Sequence, residues 1–241
     1  MNFTDFLKAN KPEWFNLDHG HAIIARAIDT AATCKQDALI LAPPRCGKST
    51  IFADLLPRWL TSERGHTCKV IVACGHEDLA KEYRKRFLAT ADPDGPVRFV
   101  AAGAPLVGCG ADVFILDPYT PDNPRLTDWY DSTVRTRLNP GGYVLAVDNR
   151  WGKGDFASHL MRQGMSTTHI MRETLPSAYS TEMLASVDAF PSDALRANWN
   201  QCIGTSENVS TPTTNDVLLR NATIGDLLNM LRGVLTGADS K

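Results

Sequence analysis

The chain has 241 residues, of which 43% are hydrophobic and 22% are charged, and its formal net charge is −2 at pH 7. This length is enough for one sizeable hydrophobic core with at most a small appendage. The near-neutral charge excludes a strongly basic nucleic-acid-binding protein but leaves room for a local basic face. The sequence has no apolar run long enough to span a membrane and no signal-peptide pattern at its start.

The hydrophobic pattern predicts strands that alternate with helices over the first two thirds of the chain. Residues 1–35 are predicted to be largely helical. The predicted strands are 37–42, 69–74, 97–101, 112–117 and 143–147, and the predicted helices between them are 49–56, 77–91 and 128–138. We expect Pro57 to end or kink the first of these helices. The alternation predicts an α/β fold, with a mostly parallel sheet and helices on both faces.

The pattern weakens after Gln163. We therefore predict one domain over residues 1–165 and an extension of uncertain structure over 166–203. The polar run 204–216 is predicted to be a linker. Residues 217–241 are predicted to hold an amphipathic helix that starts near Thr223.

A phosphate-binding loop is the most specific motif of the chain. The segment 42–49, A-P-P-R-C-G-K-S, lies between a predicted strand and a predicted helix. Backbone N–H groups of such a loop and of the following helix converge on phosphate. Lys48 would reach the β- and γ-phosphates, and Ser49 would ligate Mg²⁺. The residues predicted to bind ATP are Pro43, Pro44, Arg45, Cys46, Gly47, Lys48, Ser49 and Thr50.

The apolar strand 113–116 ends in a carboxylate, Asp117. In P-loop enzymes an aspartate at this place holds Mg²⁺. The alternative is a strand-end aspartate that caps a turn before Pro118. We favour the first interpretation and predict Ser49 and Asp117 as the magnesium ligands.

Several segments, in the same order along the chain, resemble the ATPase half of phage large terminase subunits, the motors that pump DNA into procapsids. The loop P-P-R-C-G-K-S at 43–49 is similar to the family's P-P-R-H-G-K-S. The run L-V-G-C-G-A-D-V-F-I-L-D-P at 106–118 resembles L-T-G-R-G-A-D-L-L-I-I-D-D-P. The run W-Y-D-S-T-V-R-T-R-L-N-P-G-G at 129–142 is close to W-Y-T-S-T-L-x-T-R-L-E-P-G-G, and N-R-W at 149–151 matches T-R-W.

This resemblance covers residues 12–163 and implies a RecA-like P-loop ATPase that moves double-stranded DNA in the cytoplasm of a host cell. It implies a homo-oligomeric ring when active, with a portal and a small terminase subunit as partners. Full-length relatives carry a nuclease domain. The 78 residues that follow Gln163 are too few for such a domain, and no further carboxylate cluster accompanies Asp188 and Asp193. We therefore expect no nuclease here and a separate nuclease chain as a further partner.

Three departures from the family pattern concern ATP cleavage. The family has a second acid after its aspartate, where this chain has Pro118, and an arginine, a candidate arginine finger, where this chain has Cys109. The threonine of T-R-W is Asn149. Asp148, at the end of the strand 143–147, is our candidate for the missing acid, with a solvated strand-end aspartate as the alternative.

Asp122 is a weaker candidate for the missing acid. The predicted catalytic residues are Lys48, Asp117, Asp148 and Asn149. A different class of function fits the same departures, namely a non-hydrolysing nucleotide-binding assembly or regulatory protein derived from a terminase. A helicase-like translocase is a more remote hypothesis.

Other residues have more than one interpretation. Trp14 and Phe15 could line a pocket for the adenine, as the resemblance implies, or pack in the core. His19 and His21 could bind a metal but are more typical of polar residues at a helix start. The basic helix that contains Lys81 could track DNA, although an ordinary solvated face fits as well.

Overall fold

The computed structural model of the chain describes residues 1–43, 45–64, 67–89, 95–118, 124–149 and 154–170. Within these ranges the strands are β1 (Ala38–Leu41), β2 (Val70–Cys74), β3 (Val97–Ala101), β4 (Ala111–Asp117), β5 (Leu138–Asp148) and β6 (Ser166–His169). They form one sheet with the order β3-β2-β4-β5-β1-β6. Each neighbouring pair is parallel. The predicted α/β class is therefore confirmed.

The α-helices in the same ranges are α1 (Phe3–Asn10), α2 (His19–Cys34), α3 (Lys48–Thr50), α4 (Leu56–Arg64), α5 (Glu77–Leu88), α6 (Pro124–Trp129) and α7 (Phe156–Arg162). A π-helix (Tyr130–Val134) and a 3₁₀ helix (Arg135–Arg137) follow α6. Successive side chains of a strand point to opposite faces of the sheet. In β1, Ala38 and Ile40 join one hydrophobic cluster with residues of α1, α2, α4 and α5. Leu39 and Leu41 join a second cluster with residues of α6 and α7. Helices thus cover both faces, as predicted. No helix in the described ranges combines the length and apolarity needed to cross a bilayer.

The helix after the phosphate-binding loop does not end at Pro57, so the prediction that it would end there is wrong. A π-helical turn, Ile51–Leu55, joins α3 to α4, and Pro57 is the second residue of α4. The Leu56 N–H donates to the carbonyl of Ile51, five residues earlier. Proline is tolerated in the first turn of a helix, where its missing N–H costs least. The wider π turn before it lets the helix continue without a break.

The sequence pattern did not predict β6, which occupies the first residues of the predicted extension. Its residues are Ser, Thr, Thr and His, without an apolar run, and it pairs with β1 at the edge of the described sheet. A polar edge strand lacks the hydrophobic signal of a buried one. The predicted linker 204–216 and the predicted helix within 217–241 lie outside the described residues.

Candidate nucleotide-binding site

The carboxyl ends of three strands bring the predicted site residues to one edge of the sheet. β5 lies between β1 and β4. Leu41, the last residue of β1, is in register with Asp148 at the end of β5. Asp117 is the last residue of β4. In open α/β sheets, ligands bind in the crevice outside these carboxyl ends.

Lys48 is held over the loop by three hydrogen bonds. Its Nζ donates to the carbonyl oxygens of Ala42, at 3.2 Å, and Pro43, at 2.8 Å. It also donates to Oδ1 of Asn149, at 2.8 Å. An ammonium group has three donors, so the protein satisfies all of them. A phosphate ligand must therefore displace one of these acceptors in order to reach Lys48.

Ser49 and Asp117 are in direct contact, with the Ser49 hydroxyl donating to Oδ2 of Asp117 at 2.9 Å. Asp117 is only 7% exposed. Burial raises the pKa of its carboxyl, while the hydrogen bond from Ser49 and the charge of Lys48 act in the opposite direction. A hydroxyl and a carboxylate are hard oxygen ligands of the kind that Mg²⁺ prefers. This pair therefore fits the predicted role.

Asp148 and Asn149 lie at the base of the loop. The Ala42 N–H donates to the main-chain oxygen of Asp148 at 3.1 Å. Oδ1 of Asp148 accepts a hydrogen bond from the Asn149 N–H at 2.7 Å. Both side chains are buried, which disfavours the interpretation of Asp148 as a solvated strand-end residue. Its role as the missing acid stays a prediction, and Asp122 lies outside the described residues.

Gly47 has the backbone conformation that favours glycine, with φ of +81°. It also lies against the ring of Phe15, so close that a Cβ atom on Gly47 would be 2.4 Å from Cε2 of Phe15. Any larger residue would need both a strained φ and a displaced aromatic ring. Phe15 is thus a core residue beneath the loop.

The other loop residues differ in their exposure to solvent. Cys46 is buried, and burial raises the pKa of its thiol, so it is a small apolar residue of the loop rather than a reactive thiol. Arg45 has a left-handed φ of 60°. Its side chain is exposed and forms no ion pair with any residue that the structure describes. Pro44 lies outside the described residues.

A cavity of about 370 Å³ lies beside the loop, and its lining includes Trp14, Ser49, Thr50, Tyr83 and Arg86. Trp14 is 71% exposed, so its indole offers a flat aromatic surface at this cavity. Of the two aromatic residues weighed for an adenine pocket, Trp14 lines the cavity and Phe15 does not.

Tyr83 is a site residue that the sequence pattern did not single out. Burial raises the pKa of its phenol, and a hydrogen bond with Ser49 opposes that shift. Tyr83 and Ser49 also line the same cavity. On α5 Tyr83 shares the buried face with Ala80 and Phe87, a pattern that predicts only core packing.

His21 is a second site residue whose role the sequence did not reveal. Its Nδ1 accepts a hydrogen bond from the Asp18 N–H, and its Nε2 lies 2.9 Å from the Cys46 carbonyl oxygen. Both ring nitrogens are used, which disfavours a metal site. No group of three His, Cys, Asp or Glu residues is placed to hold a metal ion in the described part of the chain.

Two further sequence features were considered for DNA contact and for the arginine finger. On α5, Lys81 pairs with Glu77 at 2.8 Å and Arg86 pairs with Glu82, which favours the interpretation as an ordinary solvated face. Cys109 accepts a hydrogen bond from Arg98 at 2.6 Å. It precedes the start of β4, roughly 20 Å along the strand from Asp117 at about 3.3 Å per residue.

Comparison with known proteins gives a match in structure and none in sequence. No protein-family model matches the chain, and no curated protein sequence does. The structure is similar to the crystal structure of the HK97 bacteriophage large terminase, with a TM-score of 0.60 and 13% identity. The match covers 83% of this chain and 54% of the terminase chain. At this identity the likeness shows a shared fold, and it extends over about half of the terminase. The sequence resemblance to large terminases is thus confirmed at the level of structure.

A second solved structure, the C-terminal part of the Fun30 ATPase domain, matches with a TM-score of 0.29 and 12% identity. That score is too low to support an argument.

Proposed function

We propose that the chain binds Mg²⁺-ATP at this site and is the ATPase of a viral DNA-packaging motor that moves double-stranded DNA. The observation that carries the proposal is the convergence of Lys48, Ser49, Asp117 and Asn149 at the carboxyl ends of β1, β4 and β5. The fold shared with the HK97 large terminase supports the same class of function.

Each residue has a proposed task at the nucleotide. Ser49 and Asp117 hold Mg²⁺, which when bound would neutralise charge on the β- and γ-phosphates. Lys48 binds these phosphates, and the loop amides between Arg45 and Thr50 surround them. The nucleoside end extends past Thr50 into the cavity, where Trp14 offers a stacking surface.

Partners and location follow from the terminase likeness. We propose a homo-oligomeric ring that acts on double-stranded DNA together with a portal and a small terminase subunit, in the host cytoplasm. Asp188 and Asp193 lie outside the described residues, and the expectation of a separate nuclease chain stays a prediction.

One observation favours a second candidate, a terminase-derived protein that binds ATP without cleaving it. Pro118 directly follows Asp117, so the chain lacks an acid at the position that would polarise the attacking water in the terminase pattern. For the motor, we propose that Asp148 takes this task, since it is buried beside the start of the loop.

ATP turnover with and without double-stranded DNA separates the two candidates. Lys48→Ala gives the background turnover. Lys8→Ala is the matched control, because Lys8 is exposed on α1. The motor predicts DNA-stimulated turnover in the parent and in Lys8→Ala. If the parent binds ATP but its turnover equals that of Lys48→Ala, the motor is rejected and the non-hydrolysing candidate is supported.

Asp148→Asn tests the substitute acid in the same assay. The amide keeps the size of the side chain and an acceptor for the Asn149 N–H but removes the charge. We expect turnover to fall by about a hundredfold or more, the usual loss when a general base is removed. Normal turnover in this variant rejects Asp148 as the acid without affecting the ATP-binding proposal.

A further inference from the structure

His21 joins the start of α2 to the phosphate-binding loop through both of its ring nitrogens. Nδ1 accepts from the Asp18 N–H at 2.9 Å, and Nε2 is 2.9 Å from the carbonyl oxygen of Cys46. A main-chain N–H only donates and a carbonyl only accepts, so these partners assign the ring proton to Nε2 of a neutral imidazole. The side chain is 1% exposed, so water does not compete for either bond.

The Cys46 carbonyl belongs to the same peptide unit as the N–H of Gly47. In a trans peptide the C=O and the N–H point in opposite directions, and the described residues contain no cis peptide bond. Because His21 holds the carbonyl from the side of α2, the Gly47 N–H is directed away from α2. In a phosphate-binding loop the backbone N–H groups are the phosphate ligands.

A second contact holds the same turn. Gly47 lies on the ring of Phe15, and the rings of Phe15 and His21 meet edge to face with centroids 4.9 Å apart. The position of the Gly47 backbone is therefore set by Phe15, and the rotation of its peptide is set by His21. Phe15 is buried in the main hydrophobic cluster, so this support does not depend on solvent.

We propose that His21 is a positioning residue of the phosphate site, which fixes the Cys46–Gly47 peptide so that the Gly47 N–H is directed at a bound phosphate. The identity of the ligand as a nucleotide rests on the proposed function. The effect of His21 on the loop does not, because both of its hydrogen bonds join residues of the chain itself.

Three substitutions separate the two hydrogen bonds of His21. In His21→Asn the side-chain oxygen takes the place of Nδ1, so the bond from Asp18 is kept and the bond to Cys46 is lost. In His21→Gln the amide N–H reaches the place of Nε2 and keeps the bond to Cys46. His21→Phe keeps the ring and loses both bonds. His19→Asn is the matched control, because His19 is exposed on the same helix.

The first readout needs no nucleotide. Cys46 is 1% exposed and Cys74 is fully buried, so alkylation of Cys46 by N-ethylmaleimide reports opening of the loop, and alkylation of Cys74 reports unfolding. Peptide mass spectrometry measures both rates in the full chain. We expect His21→Asn and His21→Phe to raise the Cys46 rate about two- to tenfold relative to Cys74, as the loss of one neutral hydrogen bond implies. His21→Gln and His19→Asn should match the parent.

The second readout is the dissociation constant of Mg²⁺-ADP, measured by calorimetry. His21→Asn should weaken binding by about two- to tenfold, and His21→Gln should restore it to near the parent value. A purely structural role would instead give equal effects for Asn and Gln. That outcome, or Cys46 rates in His21→Asn equal to the parent, would overturn the proposal.

The two proposals fail in different ways. If the parent does not bind Mg²⁺-ADP but Cys46 opens in His21→Asn, the nucleotide proposal fails and the positioning role stands. If the parent binds Mg²⁺-ADP and no His21 variant changes either readout, the positioning role fails. If His21→Asn raises the alkylation rate of Cys74 as well, His21→Gln is compared with His21→Phe. Equal ratios of the Cys46 rate to the Cys74 rate in these two variants reject the positioning role. A higher ratio in His21→Phe supports it.

Discussion

Lys48 and Asn149, which are 101 residues apart in sequence, are joined by a hydrogen bond of 2.8 Å between Lys48 Nζ and Asn149 Oδ1. The acceptor is a neutral amide, and a phosphate oxygen carries negative charge. Charge-assisted hydrogen bonds are the stronger ones, so a bound phosphate can draw Lys48 away from Asn149. A carboxylate at position 149 would compete with the phosphate instead.

Asn149→Asp is therefore expected to weaken ATP binding, because it pairs the Lys48 ammonium with a buried carboxylate. We expect the dissociation constant of Mg²⁺-ATP to rise by about tenfold or more. Asn149→Ala leaves Lys48 free for the phosphate and should bind ATP within about threefold of the parent. Calorimetry of both variants measures this, with Asn16→Ala as an exposed control. Equal ATP affinities of Asn149→Asp and Asn149→Ala would contradict the proposal that Lys48 moves from residue 149 to the phosphate.

Gly47→Ala is expected to destabilise the fold more than an equivalent change elsewhere. Gly103 also has a left-handed φ, of +91°, but a Cβ atom there meets no atom within 4 Å. Gly103→Ala should lower the free energy of unfolding by about 1–2 kcal/mol through backbone strain alone. Gly47→Ala adds the clash with Phe15 and should cost at least about 1 kcal/mol more. Urea unfolding measures both, and equal losses would show that Phe15 does not press on Gly47.

Tyr83→Phe is expected to weaken Mg²⁺ binding in the presence of ATP. The substitution removes the hydroxyl that interacts with Ser49, and interactions of this kind orient metal ligands. We expect the apparent affinity for Mg²⁺ to fall by about two- to tenfold at a fixed ATP concentration. Tyr130→Phe is the control, because Tyr130 is buried in the cluster on the opposite face of the sheet. An unchanged Mg²⁺ affinity in Tyr83→Phe would exclude Tyr83 from the site.

Stability is expected to fall when the pH drops below about 6.5, the ordinary pKa of histidine. Burial lowers the pKa of His21 in the folded chain, and the hydrogen bond with Cys46 and the charge of Asp18 only partly oppose this. Between the two pKa values the unfolded chain binds more protons, so unfolding becomes easier as the pH falls. Protonation would also remove the acceptor for the Asp18 N–H.

The urea midpoint measured between about pH 5 and pH 7.5 for the parent and for His21→Gln isolates this contribution. Carboxylates titrate in both proteins, so their effect cancels in the difference. The parent should lose more stability than His21→Gln as the pH falls. Parallel curves would show that the imidazole does not supply this pH dependence.

Much of the fold could be predicted because its signals are local. Buried parallel strands such as β2 and β4 are short apolar runs, and the loop before Lys48 has a spacing that phosphate binding requires. β6 lacked that signal because its residues are polar. The helix was predicted to end at Pro57, but the effect of a proline depends on its position in a helix. The π turn that places Pro57 in the first turn of α4 cannot be predicted from the residue types.

The candidate site likewise contains residues that the sequence predicts and residues that it does not. Lys48, Ser49 and Asp117 follow from motifs, and the order of the strands brings Asp148 and Asn149 beside them. Tyr83 could not be predicted, because a tyrosine on the apolar face of a helix is usually a core residue. The task of His21 could not be predicted either, because it depends on a carbonyl 25 residues away that only the folded chain brings near.

The central claim is that this loop binds Mg²⁺-ATP, and equilibrium binding of Mg²⁺-ATP to the parent, Lys48→Ala and Lys8→Ala tests it most directly. We expect calorimetry to show saturable binding of one nucleotide per chain in the parent and in Lys8→Ala. Lys48→Ala should weaken this binding by at least about tenfold, because it removes the charge-assisted contact with the phosphates. Equal affinities for Lys48→Ala and Lys8→Ala, or a parent that binds no nucleotide, would contradict the claim.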